Sequence, residues 1–317
     1  MITLFTTAKP FVGHNAVIQR NALKSWTLLH PNVEIILFGD DEGAEGMASQ
    51  LGIRHESHVE RNSFGSKRLD YMFDRAQEIA RHSVLCYLNC DIILTYDFVE
   101  AVKQTSSRQK PFLMVGRRWD TDITQVLNMS VPQWESQVRQ AATASNNQRP
   151  PWWIDYFAFS RGLYLGKIPA LVIGRVYWDN WLIWCAGACG ADVVDASPSV
   201  MAIHQNHDYG YHPKGQLGVW TDEQSQQNLK LCGGYCHLST IESAQFVLHH
   251  QGLKPNPFYK LAHLRITVRR IVTKAWSSAV AFLQTWLWHP ILNVSRPLRN
   301  KLRLRHQKSS ATPGSKT

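Results

Sequence analysis

Hydrophobic and polar positions in the first half of the chain alternate between strand-like and helix-like spacing. Short apolar runs bounded by turn residues predict four strands, at residues 2–6, 33–38, 53–55 and 112–116. Between them, apolar residues spaced three and four apart predict helices at residues 15–29, 44–51, 66–81 and 98–104. This alternation predicts an α/β fold with a largely parallel sheet covered by helices.

One apolar run in the middle of the chain is interrupted by polar residues. A buried strand is predicted at residues 84–88, and Asn89 and Asp91 follow it before the apolar run resumes. A strand buried on both faces has no room for an unpaired carboxylate, because removing the charge from water costs too much free energy. A bound metal ion is one partner that would satisfy Asp91. A turn at the strand end explains both residues equally well, so the two interpretations stay open.

The second half of the chain is more polar. Its pattern predicts a helix around residues 131–142, a helix at Trp178–Ala188, and a strand with its connection at 192–203. An apolar aromatic run follows Asp155. Residues 205–227 are polar and contain four glycine or proline residues. We predict a long loop without regular structure there, of the kind that forms a lid or a binding loop.

Positive charge is concentrated at the C-terminal end. The sequence has 34 Lys and Arg against 24 Asp and Glu, yet residues 251–317 hold 13 of the basic residues and none of the acidic ones. The preceding 250 residues are therefore slightly acidic. This asymmetry predicts a main domain at 1–250, a basic tail at 251–317, and an anionic partner for the tail, either membrane phospholipid or nucleic acid.

Apolar residues at helical spacing in the tail favour lipid over nucleic acid. One predicted stripe consists of Leu261, Leu264, Val268, Ile271 and Val272. A second apolar run, at 275–288, has 14 residues, whereas a membrane-spanning helix needs about 20. We therefore expect an amphipathic helical tail that lies on an anionic membrane surface, and no nucleic-acid partner.

The six cysteines fall into three pairs with C-x3-C spacing: Cys86 and Cys90, Cys185 and Cys189, and Cys232 and Cys236. This spacing is compatible with structural zinc. The surroundings are largely apolar, however, which favours reduced thiols packed as small core residues in a cytoplasmic protein. Residues 1–6 have the pattern of a strand, without a basic or long apolar leader, so we expect no signal peptide.

Candidate chemistry lies at the ends of the predicted strands. The sequence lacks the glycine-rich motifs of dinucleotide dehydrogenases and P-loop NTPases, and also the motifs of zinc proteases and nucleophile-elbow hydrolases. Instead, Thr6 and Lys9 follow the first strand, Asp40 follows the second, and Asn89 and Asp91 follow the central one. Ligands of open α/β sheets bind beyond the carboxyl ends of the strands, so these groups should converge. For Asp40, turn chemistry is an equally good explanation.

Two segments of the second half add acid–base and metal-binding candidates. Asp179 begins an apolar helix beside Trp178, where it is either a helix cap or a general base in an aromatic setting suited to a sugar. His204 and His207 follow a predicted strand, and imidazole with carboxylate suits Mn²⁺ when a diphosphate completes the ligand shell. Which histidine is the ligand stays open. Further along, Lys214 could contact that diphosphate.

In their order along the chain, these motifs resemble the GT-A glycosyltransferases, and most of all a bacterial, family-2-like branch. The resemblance covers about residues 1–250. It rests on short segments, among them Thr-Thr-Ala-Lys-Pro-Phe, Ile-Leu-Phe-Gly-Asp-Asp, Tyr-Leu-Asn-Cys-Asp-Ile-Ile-Leu, Tyr-Trp-Asp-Asn-Trp and Ala-Ile-His-Gln-Asn-His-Asp-Tyr. It implies a GT-A, Rossmann-like fold, with a mixed, mostly parallel sheet flanked by helices, and transfer of sugar from a nucleotide-diphosphate sugar.

The resemblance also implies roles for single residues. Asp91 and His204 would bind Mn²⁺ or Mg²⁺, and Asn89 stands where the family has a first aspartate. Asp179 would deprotonate the acceptor hydroxyl, which gives inversion at the anomeric carbon. Contacts to the donor nucleotide are implied for Thr6, Lys9, Asp40, Asn89, Asp91 and Lys214. Orientation of donor or acceptor is implied for Arg117, Arg118, Asp155 and Trp178.

We therefore expect a cytoplasmic, metal-dependent glycosyltransferase, peripheral to the inner membrane face, with a glycan or lipid-linked acceptor. A sugar-nucleotide pyrophosphorylase would share the fold class, but it usually carries a glycine-rich loop with Arg and Lys near its start, and residues 6–20 lack one. A nucleic-acid-binding module with a degenerate enzyme domain would need base-stacking aromatic residues on a positive sheet. The tail has apolar helical stripes instead.

Overall fold

The structure, a computed structural model, describes residues 1–261 apart from 145, 209, 211 and 212, together with residues 264, 267, 268 and 271. The chain divides into two compact units, Met1–Leu264 and Arg265–Thr317. Most of the predicted basic tail, including its apolar run at 275–288, lies outside the described residues. No helix in the described part of the chain is long and apolar enough to cross a membrane.

Most of the regular structure of the described residues lies in the first unit. Its strands are β1 (Ile2–Thr7), β2 (Glu34–Phe38), β3 (Arg54–Glu56), β4 (Val84–Leu88), β5 (Ile92–Ile93), β6 (Phe112–Val115), β7 (Arg118–Thr121), β8 (Tyr156–Ser160), β9 (Asp192–Asp195), β10 (Ala202–Gln205), β11 (Phe246–His249) and β12 (Gly252–Pro255). Its α-helices are α1 (Gly13–Thr27), α2 (Ala44–Leu51), α3 (Leu69–Ile79), α4 (Asp97–Ser106), α5 (Trp134–Ala144), α6 (Trp178–Ala188), α7 (Gly215–Thr221) and α8 (Glu223–Leu231).

Nine of these strands form one sheet, in the order β12-β11-β9-β6-β8-β4-β1-β2-β3. Five of its eight strand pairings are parallel; the antiparallel ones involve β8 on both of its sides and β12 at one edge. Apolar layers that include helix residues cover both faces. The predicted α/β class, with a mixed, mostly parallel sheet flanked by helices, is confirmed.

The central strand β4 is buried on both faces, and its residues alternate between two apolar cores. Leu85 and Tyr87 pack with α3 and α6 on one face, whereas Cys86 and Leu88 pack with α1 and α4 on the other. Burial of each large apolar side chain contributes roughly 1.5–3 kcal/mol. The end of β4 therefore leaves a close-packed core at a fixed position.

Three short strands form a second sheet, in the order β5-β10-β7. The register places His204 of β10 opposite Asp120 of β7 on one side and opposite Ile92 of β5 on the other. The backbone amide of Gln205 also donates to the carbonyl oxygen of Asp91 at 3.2 Å. This small sheet thus brings His204 next to the turn that follows β4.

The prediction of an irregular loop at 205–227 is wrong in its second half, where α7 and the start of α8 lie. Asp222 caps α8, because its side chain accepts a hydrogen bond from the backbone amide of Ser225 at 2.8 Å. The buried side chain of Asn228 exchanges hydrogen bonds with both backbone groups of Val172, each at 3.0 Å. The helix buries polar residues, so it lacks the apolar stripe that would have predicted it.

Candidate active site

A cavity of about 960 Å³ opens at the carboxyl ends of β1, β2 and β4. This volume lies in the range of sites that bind cofactors and small molecules. The wall includes the segments that follow β1 and β4, the segment before α3, the start of α6 and part of α7. The strand ends therefore meet at one cavity, as expected for an open α/β sheet.

Asp91, His204 and His207 form a cluster on one wall of this cavity. One potential ligand atom of each residue lies within 4.8 Å of the others. Oδ2 of Asp91 is 3.1 Å from Nε2 of His207 and 3.8 Å from Nε2 of His204. The other carboxylate oxygen, Oδ1, is buried and has no hydrogen-bond partner. Burying a carboxylate oxygen in this way is costly, and a cation held between the three side chains would satisfy it.

The Nδ1 atoms of both imidazole rings face oxygen atoms of the protein. His207 Nδ1 lies 2.7 Å from the carbonyl oxygen of Asp208, and His204 Nδ1 lies 3.3 Å from Oδ1 of Asp120. Nδ1 of His204 is close to the Asp120 carboxylate but makes no hydrogen bond to it. A carbonyl oxygen only accepts hydrogen bonds, so Nδ1 carries the proton in a neutral His207 ring, and Nε2 presents a lone pair to the space beside Asp91. Metal-binding histidines are oriented in the same manner. The three residues therefore fit a divalent cation that accepts nitrogen and oxygen ligands, such as Mn²⁺.

The negative charge of Asp91 faces His204, His207 and Lys9 within the protein. Burial by itself would raise the pKa of the Asp91 carboxyl, but His204, His207 and Lys9 outweigh burial and hold this pKa well below its usual range. Burial lowers the pKa of Lys9, against the attraction of Asp91 and Asp208. For His207, burial lowers the pKa, but the hydrogen bond with Asp91 and its charge exceed that effect and raise it. Asp91 is therefore ionised at neutral pH and able to hold a cation.

A buried network of hydrogen bonds and ion pairs lies behind the cluster. Asn89 Nδ2 donates to Asp155 Oδ1 at 2.6 Å. Arg118 donates to the carboxylates of both Asp155 and Asp120, at 2.8 Å each, and Asp120 faces His204. Burial would lower the pKa of Arg118, but these two carboxylates exceed that effect and raise it. The network therefore holds the Asp120 carboxylate beside His204. Through Arg118 and Asp155, it also connects this carboxylate to Asn89 at the end of β4.

Asp179 lies on the cavity wall in the first turn of α6. Burial raises the pKa of its carboxyl to about 7, although nearby backbone amides oppose this change. Its Oδ1 is buried and has no hydrogen-bond partner. The cap position belongs to Tyr177, whose φ of 84° is uncommon for a bulky residue. A carboxyl with a pKa near 7 in a cavity is suited to general acid–base chemistry at neutral pH.

The predicted nucleotide contacts divide into residues at the cavity and residues away from it. The cavity wall includes Lys9, Asn89 and Asp91, but it does not include Thr6, Asp40 or Lys214. Thr6 is fully buried, and its hydroxyl donates to the carbonyl oxygen of Leu88 at 2.6 Å. Asp40 is exposed and pairs with Arg61 at 2.6 Å, which lowers the pKa of the Asp40 carboxyl. Lys214 is exposed at the start of α7.

At two of the predicted positions, the neighbouring residue lines the cavity in place of the predicted one. Thr7 and Asp41, which follow Thr6 and Asp40 in the sequence, both line the cavity. Lys67 links them, because its Nζ donates to Thr7 Oγ1 at 2.8 Å and forms an ion pair with Asp41. Burial lowers the pKa of Lys67. No local sequence pattern indicates Lys67, because its partners Thr7 and Asp41 come from two other segments of the chain.

The residues predicted to orient substrates have three different settings. Arg118 and Asp155 line the cavity and belong to the buried network. Arg117 is not part of the cavity wall, and its Nε donates to the carbonyl oxygen of Arg149 at 2.5 Å. Trp178 touches the cavity but is only 5% exposed, since its ring packs against the core aromatic rings of β4 and β8.

Replacement of Asp120 should test whether this network orients His204. We expect Asp120→Ala to weaken Mn²⁺ binding by about 10- to 100-fold, the usual effect of losing the partner of a metal-binding histidine. Asp120→Asn should recover part of the affinity, because the amide keeps the shape of the carboxyl and its oxygen can accept from Nδ1. The measurement is an electron paramagnetic resonance titration of Mn²⁺, with the unfolding midpoint of each variant recorded alongside.

Asp122→Ala is the control for the Asp120 variants, since the Asp122 carboxylate is exposed and accepts from Asn206 instead of facing a histidine ring. It should bind Mn²⁺ as the unaltered protein does. A folded Asp120→Ala protein with unchanged affinity would show that the network has no role in cation binding.

Comparison with known proteins finds similarity at the level of structure only. No family model matches the chain, and no curated protein matches it. Among solved structures, the chain is similar to glucosyl-3-phosphoglycerate synthase from Mycobacterium tuberculosis in complex with Mg²⁺ and UDP. That match has 15% identity and a TM-score of 0.43, and it covers 74% of this chain and 80% of that one.

Two further solved structures are similar to a comparable extent. One is the same synthase with Mn²⁺, UDP-glucose and phosphoglyceric acid, at 15% identity and a TM-score of 0.42, with the same coverage of both chains. The other is described as a mycobacterial protein, at 14% identity and a TM-score of 0.41, covering 74% of this chain and 75% of that one. At this level of similarity, the function of the chain has to be argued from its own site.

Proposed function

We propose that this protein is a metal-dependent glycosyltransferase, which moves a sugar from a nucleotide-diphosphate sugar to an acceptor hydroxyl. The observation that carries the proposal is that one cavity is lined both by the cation-binding cluster of Asp91, His204 and His207 and by Asp179, whose carboxyl has a pKa of about 7. Transfer from a nucleoside diphosphate needs a cation for the leaving group and a base for the incoming hydroxyl. The order of the sequence motifs supports the same function.

The cluster and Lys9 are placed to hold the diphosphate of the donor. Mn²⁺ or Mg²⁺ bound by the cluster would neutralise the charge that develops on the leaving diphosphate. The backbone of Lys9 is fixed by Gln19, whose side chain accepts from the Lys9 amide at 2.6 Å and donates to its carbonyl oxygen at 2.9 Å. Thr7 and Asp41, also on the cavity wall, are available to contact the ribose or the base.

Asp179 is the proposed base. Its ionised carboxylate would take the proton of the acceptor hydroxyl as that oxygen attacks the anomeric carbon. We propose that the hydroxyl approaches from the side opposite to the departing diphosphate, so that the configuration at this carbon is inverted. Asp179 belongs to α6, whereas Asp91 follows β4, His204 is in β10 and His207 follows β10, so the proposed base and the proposed cation ligands come from different elements of the same cavity wall.

We also propose that residues 1–250 form the catalytic domain and that residues 251–317 hold the enzyme at the cytoplasmic face of the membrane. Support comes from the 13 basic and no acidic residues of the tail. Leu261 and Leu264, the first two residues of the predicted apolar stripe, are 50% and 58% exposed. Basic residues near anionic lipid contribute about 1 kcal/mol each, which in sum would hold the protein at a surface.

Sedimentation with vesicles tests the role of the tail. We expect the full chain to pellet with vesicles that contain anionic phospholipid, and to be released as the salt concentration rises, because surface charges are screened. A chain that ends after Leu264, the last residue of the first compact unit, should remain in the supernatant. Equal pelleting of the two chains would contradict the proposal.

The glycosyltransferase proposal is tested with a panel of nucleotide-diphosphate sugars and Mn²⁺. Water can take the place of the acceptor hydroxyl in such a reaction, so the release of nucleoside diphosphate can be measured without a known acceptor. We expect release from one donor class, and we expect a chelator of divalent cations to stop it. Release from none of the donors, together with no metal-dependent stabilisation by any nucleoside diphosphate, would contradict the proposal.

A further inference from the structure

The cavity has an aromatic section that the metal cluster and Asp179 do not use. Trp152, Trp153 and Trp220 all line it, and two of these rings are open to solvent. Trp152 is 52% exposed and Trp220 is 39% exposed, although indole is the largest side chain and most of its surface is apolar. Large aromatic rings that stay exposed on the wall of a ligand cavity are binding surfaces more often than chance contacts.

Trp153 is held rigidly at the centre of this group. The guanidinium carbon of Arg149 lies 4.1 Å from the centre of a Trp153 ring, and that of Arg118 lies 4.7 Å away. Trp220 meets Trp153 edge to face, with the ring centres 6.2 Å apart at an angle of 83°. Since Arg118 is also the centre of the buried network, Trp153 contacts the same residue that pairs with Asp120 and Asp155 behind the metal cluster.

Positive charges on the described part of the cavity wall are already matched by carboxylates. Arg61 pairs with Asp40, Lys67 with Asp41, Arg118 with Asp155 and Asp120, and Arg175 with Asp222. Lys9 faces Asp91 and Asp208. Arg149, which stacks on Trp153, lies 3.2 Å from the Asp120 carboxylate. A phosphorylated or carboxylated acceptor would need a cation to balance its charge, and each of these cations already faces a carboxylate.

We propose that the aromatic section is the acceptor subsite and that the acceptor is a neutral saccharide, whose ring stacks on Trp152 and Trp220. The proposal rests on the proposed function, because it names the acceptor of the same reaction. A pyranose has an apolar face of C–H groups and a rim of hydroxyl groups. The apolar face can stack on an exposed indole ring, and the hydroxyl groups can bond to Asp179 and Asn180 on the same cavity wall.

A lipid chain fits this section less well than a sugar. The exposed apolar residues on its wall are mainly indole rings, which also present N–H donors, and charged and amide side chains surround them. An alkyl chain would leave those polar groups without partners as it displaced their water. A lipid carrier would therefore remain outside the aromatic section, and the sugar unit would be the part that the section recognises.

Ligand-observed NMR with a panel of neutral mono- and oligosaccharides tests the proposal directly, with Mn²⁺ replaced by diamagnetic Mg²⁺ and a nucleoside diphosphate present. We expect at least one saccharide to bind, and Trp220→Ala and Trp152→Ala to weaken its binding by about tenfold each, the expected effect of losing one stacking partner. Leu217→Ala is the matched control, because Leu217 is on the same helix as Trp220, is 66% exposed and does not line the cavity.

Donor hydrolysis is measured on the same variants, so that failure of this proposal and failure of the proposed function are distinguishable. We expect the Leu217→Ala protein to keep both the donor hydrolysis and the saccharide affinity of the unaltered protein, whereas the Trp variants lose saccharide affinity. Binding of a phosphorylated sugar or a polyprenyl lipid in place of every neutral saccharide would overturn the proposal. Equal saccharide affinity in the Trp and Leu217 variants would also overturn it. If the Trp variants lose saccharide affinity but the unaltered protein hydrolyses no donor, the saccharide subsite is supported and only the proposed function is contradicted.

Discussion

Asp91→Ala is expected to abolish sugar transfer and to weaken Mn²⁺ binding by about 100-fold or more. Asp91 supplies the carboxylate of the cluster, and without it two imidazoles remain, which hold a hard divalent cation weakly. The fold should survive the change, because the Asp91 side chain loses only the contact of Oδ2 with His207, whereas Oδ1 has no hydrogen-bond partner. Electron paramagnetic resonance of free Mn²⁺ measures the affinity, and the unfolding midpoint in the absence of metal shows whether the protein is folded.

Glu45→Ala is the control for Asp91→Ala. Glu45 is an exposed carboxylate on α2, outside the cavity wall, so its loss should change neither transfer nor Mn²⁺ affinity. If a folded Asp91→Ala protein bound Mn²⁺ as tightly as the Glu45→Ala protein does, the cluster would not be the metal site.

Asp179→Asn is expected to lower turnover by about 10²- to 10⁴-fold while the affinities for Mn²⁺ and for nucleoside diphosphate stay unchanged, because the amide keeps the shape of the carboxyl but cannot accept a proton. In the unaltered protein, turnover should rise with pH through about 7, where the Asp179 carboxyl ionises. The variant should lack this rise. A steady-state pH profile of both proteins provides the measurement.

The same substitution should raise the thermal stability of the protein at high pH. The pKa of Asp179 is about 7 in the folded protein against an ordinary value of 3.8. Between these values the folded state binds more protons than the unfolded state, so this group makes stability fall as pH rises from about 4 to about 7 and remain lower above it. Asp179→Asn should therefore melt at a higher temperature than the unaltered protein at pH 8, by a margin that shrinks as pH approaches 4.

Asp195→Asn separates the two effects of Asp179. Burial also raises the pKa of the Asp195 carboxyl, but Asp195 ends β9 and is not part of the cavity wall. It should show a stability gain at high pH with unchanged turnover. If the Asp179→Asn protein keeps full turnover, Asp179 is not the base, and its role is structural within α6.

The sequence predicts the fold because its signals are local and repeated. Strands β1, β2 and β4 are short apolar runs, and the helices between them have clear apolar spacing, so both the element types and the parallel sheet follow from the pattern. The small sheet is different. β7 contains two charged residues in four, Arg118 and Asp120, and they are buried only because each finds a partner from another segment. Such a strand has no apolar alternation to reveal it.

The candidate site is predictable where its residues belong to a local sequence motif. A motif at a strand end indicates Asp91 and His204, and the structure places their side chains 3.8 Å apart. The positions of Asp120 and Lys67 depend on strand register and on contacts between distant segments, and neither is visible in the local sequence. At the ends of β1 and β2, the choice between Thr6 and Thr7, or between Asp40 and Asp41, depends on which side chain faces the cavity. A shift of one residue reverses that choice.

Isothermal titration of nucleoside diphosphates, with and without Mn²⁺, tests the central claim most directly, namely that the cluster of Asp91, His204 and His207 binds a cation together with the diphosphate of a nucleotide sugar. The account predicts that at least one nucleoside diphosphate binds with micromolar affinity in the presence of Mn²⁺. The same nucleotide should bind about 100-fold more weakly with chelator, or in Asp91→Ala protein, because the diphosphate then lacks its counter-ion. Equal affinity with Mn²⁺ and with chelator, or equal affinity in the unaltered and Asp91→Ala proteins, would contradict it.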